Sequence, residues 1–211
     1  MESLEARRLL SAEVVDGQLN ILGTLVEDSI VVEAGPNDGE VTVTGVDGVA
    51  DGTTFQGIDS VRIDLLTGSD TAEVAGALRT TAGDPMTVRM FGGFGNDTLI
   101  GGDSFDLLFG GPGWDTLQGN ERADLLIGGG HRDWLFGGEG PDLLAGNTGP
   151  DHLFGGLGND AMFGGIGHDQ LFGGAGNDLM GGQLGFDYIH GGINDDVIGG
   201  GGHADVLRGG A

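Results

Sequence analysis

The chain has 211 residues, of which 48 are glycine, and it carries 33 acidic residues against eight basic ones, all of them arginine. The net charge of −25 excludes nucleic acid as a ligand and argues against an anionic membrane surface, because phosphate binding requires basic patches. Cysteine is absent, so no disulfide stabilises the fold, and the apolar runs are far shorter than the roughly 20 residues of a membrane-spanning helix.

The first twelve residues predict either a targeting segment or a short amphipathic helix. They lack the apolar core of roughly 7–15 residues that marks an ordinary signal peptide. Residues 4–12 instead read Leu-Glu-Ala-Arg-Arg-Leu-Leu-Ser-Ala, which resembles the short segment that opens many large exported bacterial proteins. Both interpretations of residues 1–12 stay open.

Residues 13–91 are predicted to form a strand-rich N-terminal β cap. Short alternating or β-branched runs, bounded by Gly, Asp and Asn, are typical of strands. The first coil of a repeat array needs such a cover, because otherwise apolar surface and unpaired strand edges are exposed. The predicted strands are Gln18–Leu22, Ser29–Glu33, Glu40–Thr44, Ser60–Leu66 and Met86–Met90.

One aspartate of this segment falls in the frame of the repeats that follow it. Asp70 lies three repeat lengths before Asp97, with Gly68 in the matching glycine position. The intervening frame positions hold Arg79 and Val88. A degenerate repeat and a chance alignment are both open interpretations of Asp70.

Residues 92–211 contain thirteen consecutive nonapeptides, each with glycine first and aspartate sixth. A Leu, Ile or Met follows every aspartate at the eighth position. An aspartate that recurs at fixed spacing among glycines indicates a repeating metal ligand, and calcium prefers such oxygen donors. The predicted metal ligands are Asp97, Asp106, Asp115, Asp124, Asp133, Asp142, Asp151, Asp160, Asp169, Asp178, Asp187, Asp196 and Asp205.

This pattern resembles the RTX (repeats-in-toxin) family of calcium-binding nonapeptide repeats over residues 92–208. The resemblance implies an all-β fold, a right-handed parallel β-roll. In it, six residues of each unit form a turn and three form a strand, and two units make one coil. Calcium would then lie between the turns of alternate units, bridged by aspartates such as Asp97 and Asp115. Main-chain carbonyls would complete each site, from Gly93, Gly95, Gly111, Gly113, Gly138, Gly140, Gly156, Gly158, Gly165, Gly167, Gly174 and Gly176.

The nonapeptide frame also predicts how many calcium sites there are and which of them bind most tightly. Thirteen turns give at most eleven sites, and seven ions would neutralise the charge of −14 on residues 92–211. We therefore expect seven to eleven calcium ions. Several units lack the glycine at position four, and Arg122 is the least favourable replacement because it adds a Cβ and a positive charge. We expect the tightest sites from Asp142 to Asp187 and the weakest from Asp106 to Asp133.

Side chains outside the ligand frame have simpler interpretations. The five histidines occupy four different repeat positions and contain no His-Glu-x-x-His pair, so they are expected on the surface or in turns. Phe136, Phe154 and Phe172 occupy position nine of alternate units, which predicts an aromatic ladder on one outer face. Such a ladder either stabilises the sheet or forms an adhesive surface for a partner or a second copy.

The sequence therefore predicts an exported, bacterial, extracellular or cell-surface calcium-binding protein with a structural or adhesive role. It is not expected to be an enzyme, because there is no Gly-x-Ser-x-Gly elbow, zinc-protease motif or cysteine nucleophile. Two alternatives stay open: a folding and secretion module detached from an RTX enzyme or toxin, and a surface-layer component assembled by calcium. The chain stops after a repeat, without the capping strand and secretion signal typical of the family, so a fragment or contact with another subunit also stays open.

Overall fold

The computed structural model describes residues 11–24, 27–44 and 52–210, and these form an all-β parallel solenoid of about seven turns. The expected all-β fold is therefore confirmed. Residues 1–10, which hold most of the predicted targeting segment or helix, lie outside the described residues, and Ser11 begins the first strand. Within the described ranges, no helix is long and apolar enough to cross a bilayer.

Among the residues that the structure describes, eight strands precede the nonapeptides, and all five predicted strands are among them, with bounds shifted by at most two residues. The alternating pattern did not reveal the first, fifth and seventh strands, which are rich in Ser, Thr and Ala. The strands are β1 (Ser11–Val15), β2 (Gln18–Leu22), β3 (Ser29–Ala34), β4 (Glu40–Thr44), β5 (Thr53–Gln56), β6 (Ser60–Asp64), β7 (Thr71–Ala75) and β8 (Thr87–Phe91).

Each nonapeptide contributes one further strand, which is longer than the three residues that the resemblance implies. Most run over six residues, from position seven of one unit to position three of the next, because the glycines also pair in the parallel ladder. They are β9 (Thr98–Ile100), β10 (Asp106–Pro112), β11 (Thr116–Glu121), β12 (Leu125–Gly130), β13 (Trp134–Glu139), β14 (Leu143–Thr148), β15 (His152–Leu157), β16 (Ala161–Ile166), β17 (Gln170–Ala175), β18 (Leu179–Leu184), β19 (Tyr188–Ile193), β20 (Val197–Gly202) and β21 (Val206–Arg208).

Two sheets face each other, and from β5 onward successive strands alternate between them. One sheet, here called sheet A, has the order β1-β2-β6-β8-β10-β12-β14-β16-β18-β20, and the other, sheet B, has the order β21-β19-β17-β15-β13-β11-β9-β7-β3-β4-β5. Neighbouring repeat strands pair in parallel with a register of two units, so that Leu135, for example, pairs with Leu153. Equivalent positions of alternate units therefore stack along the solenoid axis.

A narrow apolar core fills the space between the sheets. The residues at position eight, from Leu99 to Ile189, are at most 1 % exposed, as predicted for the single hydrophobe of each unit. Positions seven and nine point outward. In the last coil, Leu207 is 47 % exposed although it occupies the same position eight.

Both sheets continue through residue 91 into the segment predicted as a cap. β6 pairs in parallel with β8, and β7 pairs in parallel with β9, so these strands extend the solenoid. Antiparallel partners then follow at the N-terminal end, where β1 pairs with β2 and β4 lies between β3 and β5. That these strands act as a cap stays a prediction.

The outer face of sheet B carries the predicted aromatic ladder. The ring centroids of Phe136 and Phe154 are 5.0 Å apart and those of Phe154 and Phe172 are 5.1 Å apart, with nearly parallel planes. Trp134 also stacks on His152 at 4.2 Å. The outer face of sheet A has a row of aliphatic residues at position seven that the sequence reading did not single out: Leu107, Leu125, Leu143, Ala161, Leu179 and Val197.

Candidate metal centre

The aspartates of alternate units form two rows, one along each edge of the solenoid. In each step of a row, the backbone N–H of one aspartate donates a hydrogen bond to Oδ1 of the aspartate two units later. The donor–acceptor distance is 2.8 Å from Asp97 to Asp115 and 2.9 Å from Asp142 to Asp160. The aspartates predicted as metal ligands are thus brought together in the predicted pairs.

The second carboxylate oxygen, Oδ2, is buried without a hydrogen-bond partner in most of these residues. Such an arrangement is unfavourable for a charged acceptor unless a cation or a donor compensates it. Among the described residues, the aspartates with this property are Asp70, Asp97, Asp115, Asp124, Asp133, Asp142, Asp151, Asp160, Asp169, Asp178, Asp187 and Asp196.

The electrostatics of the rows favour proton or cation uptake. Burial raises the pKa of Asp124 and of Asp133 to about 8, with a further rise from neighbouring aspartates in the same row. Burial also raises the pKa of Asp115 and of Asp151 to about 7 and that of Asp169 to about 6. A bound cation would instead keep these carboxylates ionised, because an opposite charge nearby stabilises the charged form.

Main-chain carbonyls of the turns point along each row. A Cβ built on Gly111 would collide with the carbonyl oxygen of Gly93, and one on Gly156 would collide with that of Gly138. Those two glycines occupy position two of their units. At position four, a Cβ on Gly158 would collide with the carbonyl oxygen of Gly140. Glycine is required here for close approach and for the positive φ of these turns.

Some turns depart from the common geometry. Asp106 has both carboxylate oxygens hydrogen-bonded, since Gly102 N donates to Oδ2 at 2.7 Å and Ser104 Oγ to Oδ1 at 3.3 Å. Arg122 adopts φ of 73°, which is unfavourable for a residue with a Cβ, and its Nε donates to the carbonyl of Asp103 at 2.9 Å. The guanidinium therefore binds a neighbouring turn.

This donor set fits a hard divalent cation. Between two turns of one row lie two carboxylates and carbonyls of positions two and four, and calcium takes about six to eight oxygens at roughly 2.3–2.6 Å. No three His, Asp or Glu side chains converge on one point in the part of the chain that the structure describes. A site between two turns would therefore need main-chain oxygens as well, and such an all-oxygen donor set suits calcium better than a metal that prefers nitrogen or sulfur.

A parallel β-solenoid with carboxylates and carbonyls stacked along its edges defines a metal-binding repeat protein. The family model of the RTX calcium-binding nonapeptide repeat (four copies) matches residues 91–121, 109–144, 136–171, 145–180 and 181–211. The chain therefore belongs to the family of RTX calcium-binding repeat proteins and binds calcium. No individual curated protein gave a sequence match to it.

Asp70 belongs to the row of Asp97, although the family match begins only at residue 91. Its backbone N–H donates to Asp97 Oδ1 at 2.9 Å, so its place in the repeat frame is not a chance alignment. Asp70 was not among the predicted ligands, because Arg79 and Val88 occupy the frame positions between it and Asp97. The signal that points to it is the combination of Asp70 with Gly68 at the fourth position of the same frame.

Proposed function

We propose that calcium binds between the turns of alternate units and that this binding drives folding of the β-roll. The observation that carries the proposal is the pair of rows of aspartates, most of whose Oδ2 atoms are buried and have no donor among the described residues. Without a cation, the aligned carboxylates repel one another, and 48 glycines add backbone entropy that opposes folding. With calcium bound only by the folded chain, binding free energy becomes folding free energy.

We propose an occupancy of seven to eleven ions for the thirteen nonapeptides. Seven would neutralise residues 92–211, and eleven would reduce the charge of the whole chain from −25 to −3. The geometry around Asp106 supports a number below the maximum, because donors from its own turn already satisfy both of its carboxylate oxygens.

Circular dichroism tests the folding step. The chain is first freed of calcium and then titrated, and we expect β signal to appear with calcium and to disappear with chelator. Extracellular calcium modules have dissociation constants of roughly 10⁻⁴–10⁻³ M, so the transition should fall in that range. A β signal of equal strength in chelator and in calcium would contradict the proposal.

The site of action that we propose is outside the cell, where calcium is plentiful, with a structural or adhesive role and no enzymatic activity. RTX repeats are typical of secreted bacterial proteins, which supports export. Most of the regularly placed acidic side chains are candidate calcium ligands, because their Oδ2 atoms are buried without a donor among the described residues. The sequence also lacks the nucleophile and zinc motifs of common hydrolases.

Two related functions predict different behaviour in solution. A folding module detached from an RTX enzyme would remain monomeric, whereas a surface-layer component would assemble when calcium is added. The ladder of Phe136, Phe154 and Phe172 is the candidate surface for self-association or for a surface partner. Light scattering with and without calcium separates the two functions by the change in molecular mass.

A further inference from the structure

A turn outside the matched repeats has the geometry of a metal-binding turn. Residues 65–70 read Leu-Leu-Thr-Gly-Ser-Asp, so only the fourth and sixth positions agree with the nonapeptide pattern. Leu66 nevertheless adopts φ of 75° and Gly68 φ of 148°, which places positions two and four in the positive-φ region that favours glycine. The backbone thus bends as in the repeats although the double glycine is missing.

The turn of residues 65–70 also stacks on the turn of residues 92–97 with the hydrogen bonds seen between true repeats. Gly68 N donates to Phe94 O at 2.9 Å, as Gly95 N donates to Pro112 O at 3.1 Å in the next step. Thr98 N donates to Asp70 O at 2.8 Å, which corresponds to the bond from Thr116 N to Asp97 O. The two turns are separated by three repeat lengths of sequence instead of two, yet the stacking is equivalent.

Oxygen atoms converge on the space between these two turns. A Cβ on Gly93 would collide with the carbonyl oxygen of Leu66, and one on Gly95 with that of Gly68, so both carbonyls point towards the next turn. Asp70 is 1 % exposed, and its Oδ2 has no hydrogen-bond partner among the described residues. The same is true of Asp97 Oδ2.

We propose that a calcium ion binds between the turns of residues 65–70 and 92–97, held by the carboxylates of Asp70 and Asp97 and by the carbonyls of Leu66 and Gly68. This inference rests on the proposed binding of calcium between stacked turns and adds a site that lies partly outside the matched repeats. The ion would connect the first nonapeptide to the strands that precede it. Calcium would then order β7 and β3 as well as the repeats.

Towards the N-terminus, the row of aspartates ends one step beyond Asp70, at Asp28. Asp28 N donates to Asp70 Oδ1 at 2.7 Å, so Asp28 continues the ladder by one step. Its own Oδ2, however, accepts hydrogen bonds from Thr24 N at 2.7 Å and from Thr24 Oγ1 at 3.2 Å. Protein donors take the place of a cation at Asp28, and the site at Asp70 is the last one of this row.

One feature distinguishes this site from those in the repeats. Leu65 occupies the first position, where the nonapeptides have glycine, and its side chain is fully buried in the core. In the next turn, a Cβ on Gly92 would lie only 2.5 Å from Asp97 Oδ2. Leu65 has the Cβ atom that Gly92 lacks, so the space next to the carboxylate of Asp70 is narrower. We therefore expect calcium to bind more weakly between Asp70 and Asp97 than between Asp97 and Asp115.

Ion counting on the full chain tests the proposal. Native mass spectrometry at saturating calcium should find one ion fewer in Asp70→Asn than in the unsubstituted protein. The asparagine keeps an acceptor for Asp28 N but turns an NH₂ group towards the ion. Asp84→Asn is the matched control, because Asp84 is exposed in a loop outside both rows and loses the same charge. Its ion count should be unchanged.

The outcomes are distinguishable from a failure of the proposed function. If Asp70→Asn binds as many ions as the unsubstituted protein, the site does not exist, whereas no bound calcium in any variant would reject calcium binding between turns altogether. If Asp70→Asn does not fold, crystals of the unsubstituted protein grown with calcium decide the question. Anomalous difference density between Asp70 and Asp97 is then expected, and its absence beside occupied repeat sites overturns the proposal.

Discussion

Asp115 accepts a hydrogen bond from the backbone N–H of Asp97 at 2.8 Å through Oδ1, while its Oδ2 stays buried without a donor among the described residues. One oxygen thus fixes the distance between two stacked turns, and the other remains available to a cation. The arrangement repeats along both edges of the solenoid. If calcium binds as we propose, an aspartate of this kind has a structural role through Oδ1 and a binding role through Oδ2.

The neighbouring residues Asp196 and Asp195 provide a matched test of this division. Asp196 belongs to a row, since its Oδ1 accepts from Asp178 N at 3.0 Å and its Oδ2 has no donor among the described residues. Asp195 is exposed, and its backbone N–H donates a hydrogen bond to Asn177 Oδ1. We expect Asp196→Asn to lower the number of bound calcium ions by one in isothermal titration, whereas Asp195→Asn should leave it unchanged. Equal losses in both variants would indicate an effect of net charge alone.

The glycines of the turns should be far less replaceable than those of the outer faces. Gly174 has φ of 109°, and a Cβ there would collide with the carbonyl oxygen of Gly156. Gly174→Ala is therefore expected to lower the free energy of unfolding in calcium by about 1–3 kcal/mol, the usual cost of such backbone strain. Gly181→Ala serves as the control, because its Cβ would meet Phe163 at 3.5 Å, an ordinary contact. Its stability in chemical denaturation should change by about 0.5 kcal/mol or less.

Without calcium, the stability of the folded chain should fall as the pH rises, whereas calcium binding should become tighter. Burial raises the pKa of Asp124 and Asp133 to about 8, so the folded calcium-free state binds more protons than the unfolded state. The stabilisation from these protons is complete below the unfolded pKa of about 4 and is lost as the pH rises through about 8.

Dialysed, calcium-free protein should consequently show more β signal in circular dichroism at pH 5 than at pH 8. Calcium competes with these protons, so the calcium concentration at half-binding should fall as the pH rises over the same interval. A calcium midpoint that does not change between pH 5 and pH 8 would mean that the buried aspartates are not the ligands.

The aromatic ladder is expected to contribute to stability through stacking. Phe154 lies between Phe136 and Phe172 at centroid distances of 5.0 and 5.1 Å, and aromatic pairs contribute about 0.5–1.5 kcal/mol each beyond burial. Phe154→Ala should thus lower the free energy of unfolding by at least about 1 kcal/mol, the sum of two such pairs at the low end of that range. Phe94→Ala is the control, since Phe94 is 66 % exposed. If Phe154→Ala changes only the molecular mass seen by light scattering, the ladder is an association surface instead.

Much of this structure could be predicted from the period of nine. Strict spacing places Leu135 over Leu153 and Asp115 near Asp133, because two units close one coil and equivalent positions must then stack. The period of nine does not predict β7, which is recruited by pairing with β3 and β9. Asp70 falls in the frame but was not predicted as a ligand, because Arg79 and Val88 interrupt the repeat between it and Asp97. The turn of residues 65–70 lacks the double glycine of the repeats, and hydrogen bonds to the neighbouring turn fix its conformation.

Arg122 tests whether the departures from the glycine pattern weaken individual sites. Its φ of 73° is costly for a residue with a Cβ, by roughly 1–2 kcal/mol relative to glycine. Arg122→Gly removes this strain and a positive charge near the Asp106–Asp124 and Asp124–Asp142 steps, so calcium should bind more tightly and the unfolding midpoint in denaturant should rise.

The lost hydrogen bond from Arg122 Nε to Asp103 O is exposed and should offset only part of this gain. Arg132→Gly is the control, because it removes the same charge from an exposed position five of a neighbouring turn, where φ is not positive. If both variants tighten calcium binding equally, charge accounts for the gain. If only Arg122→Gly tightens calcium binding, the gain comes from relief of the backbone strain at Arg122. The residue at position four would then set the calcium affinity of each site.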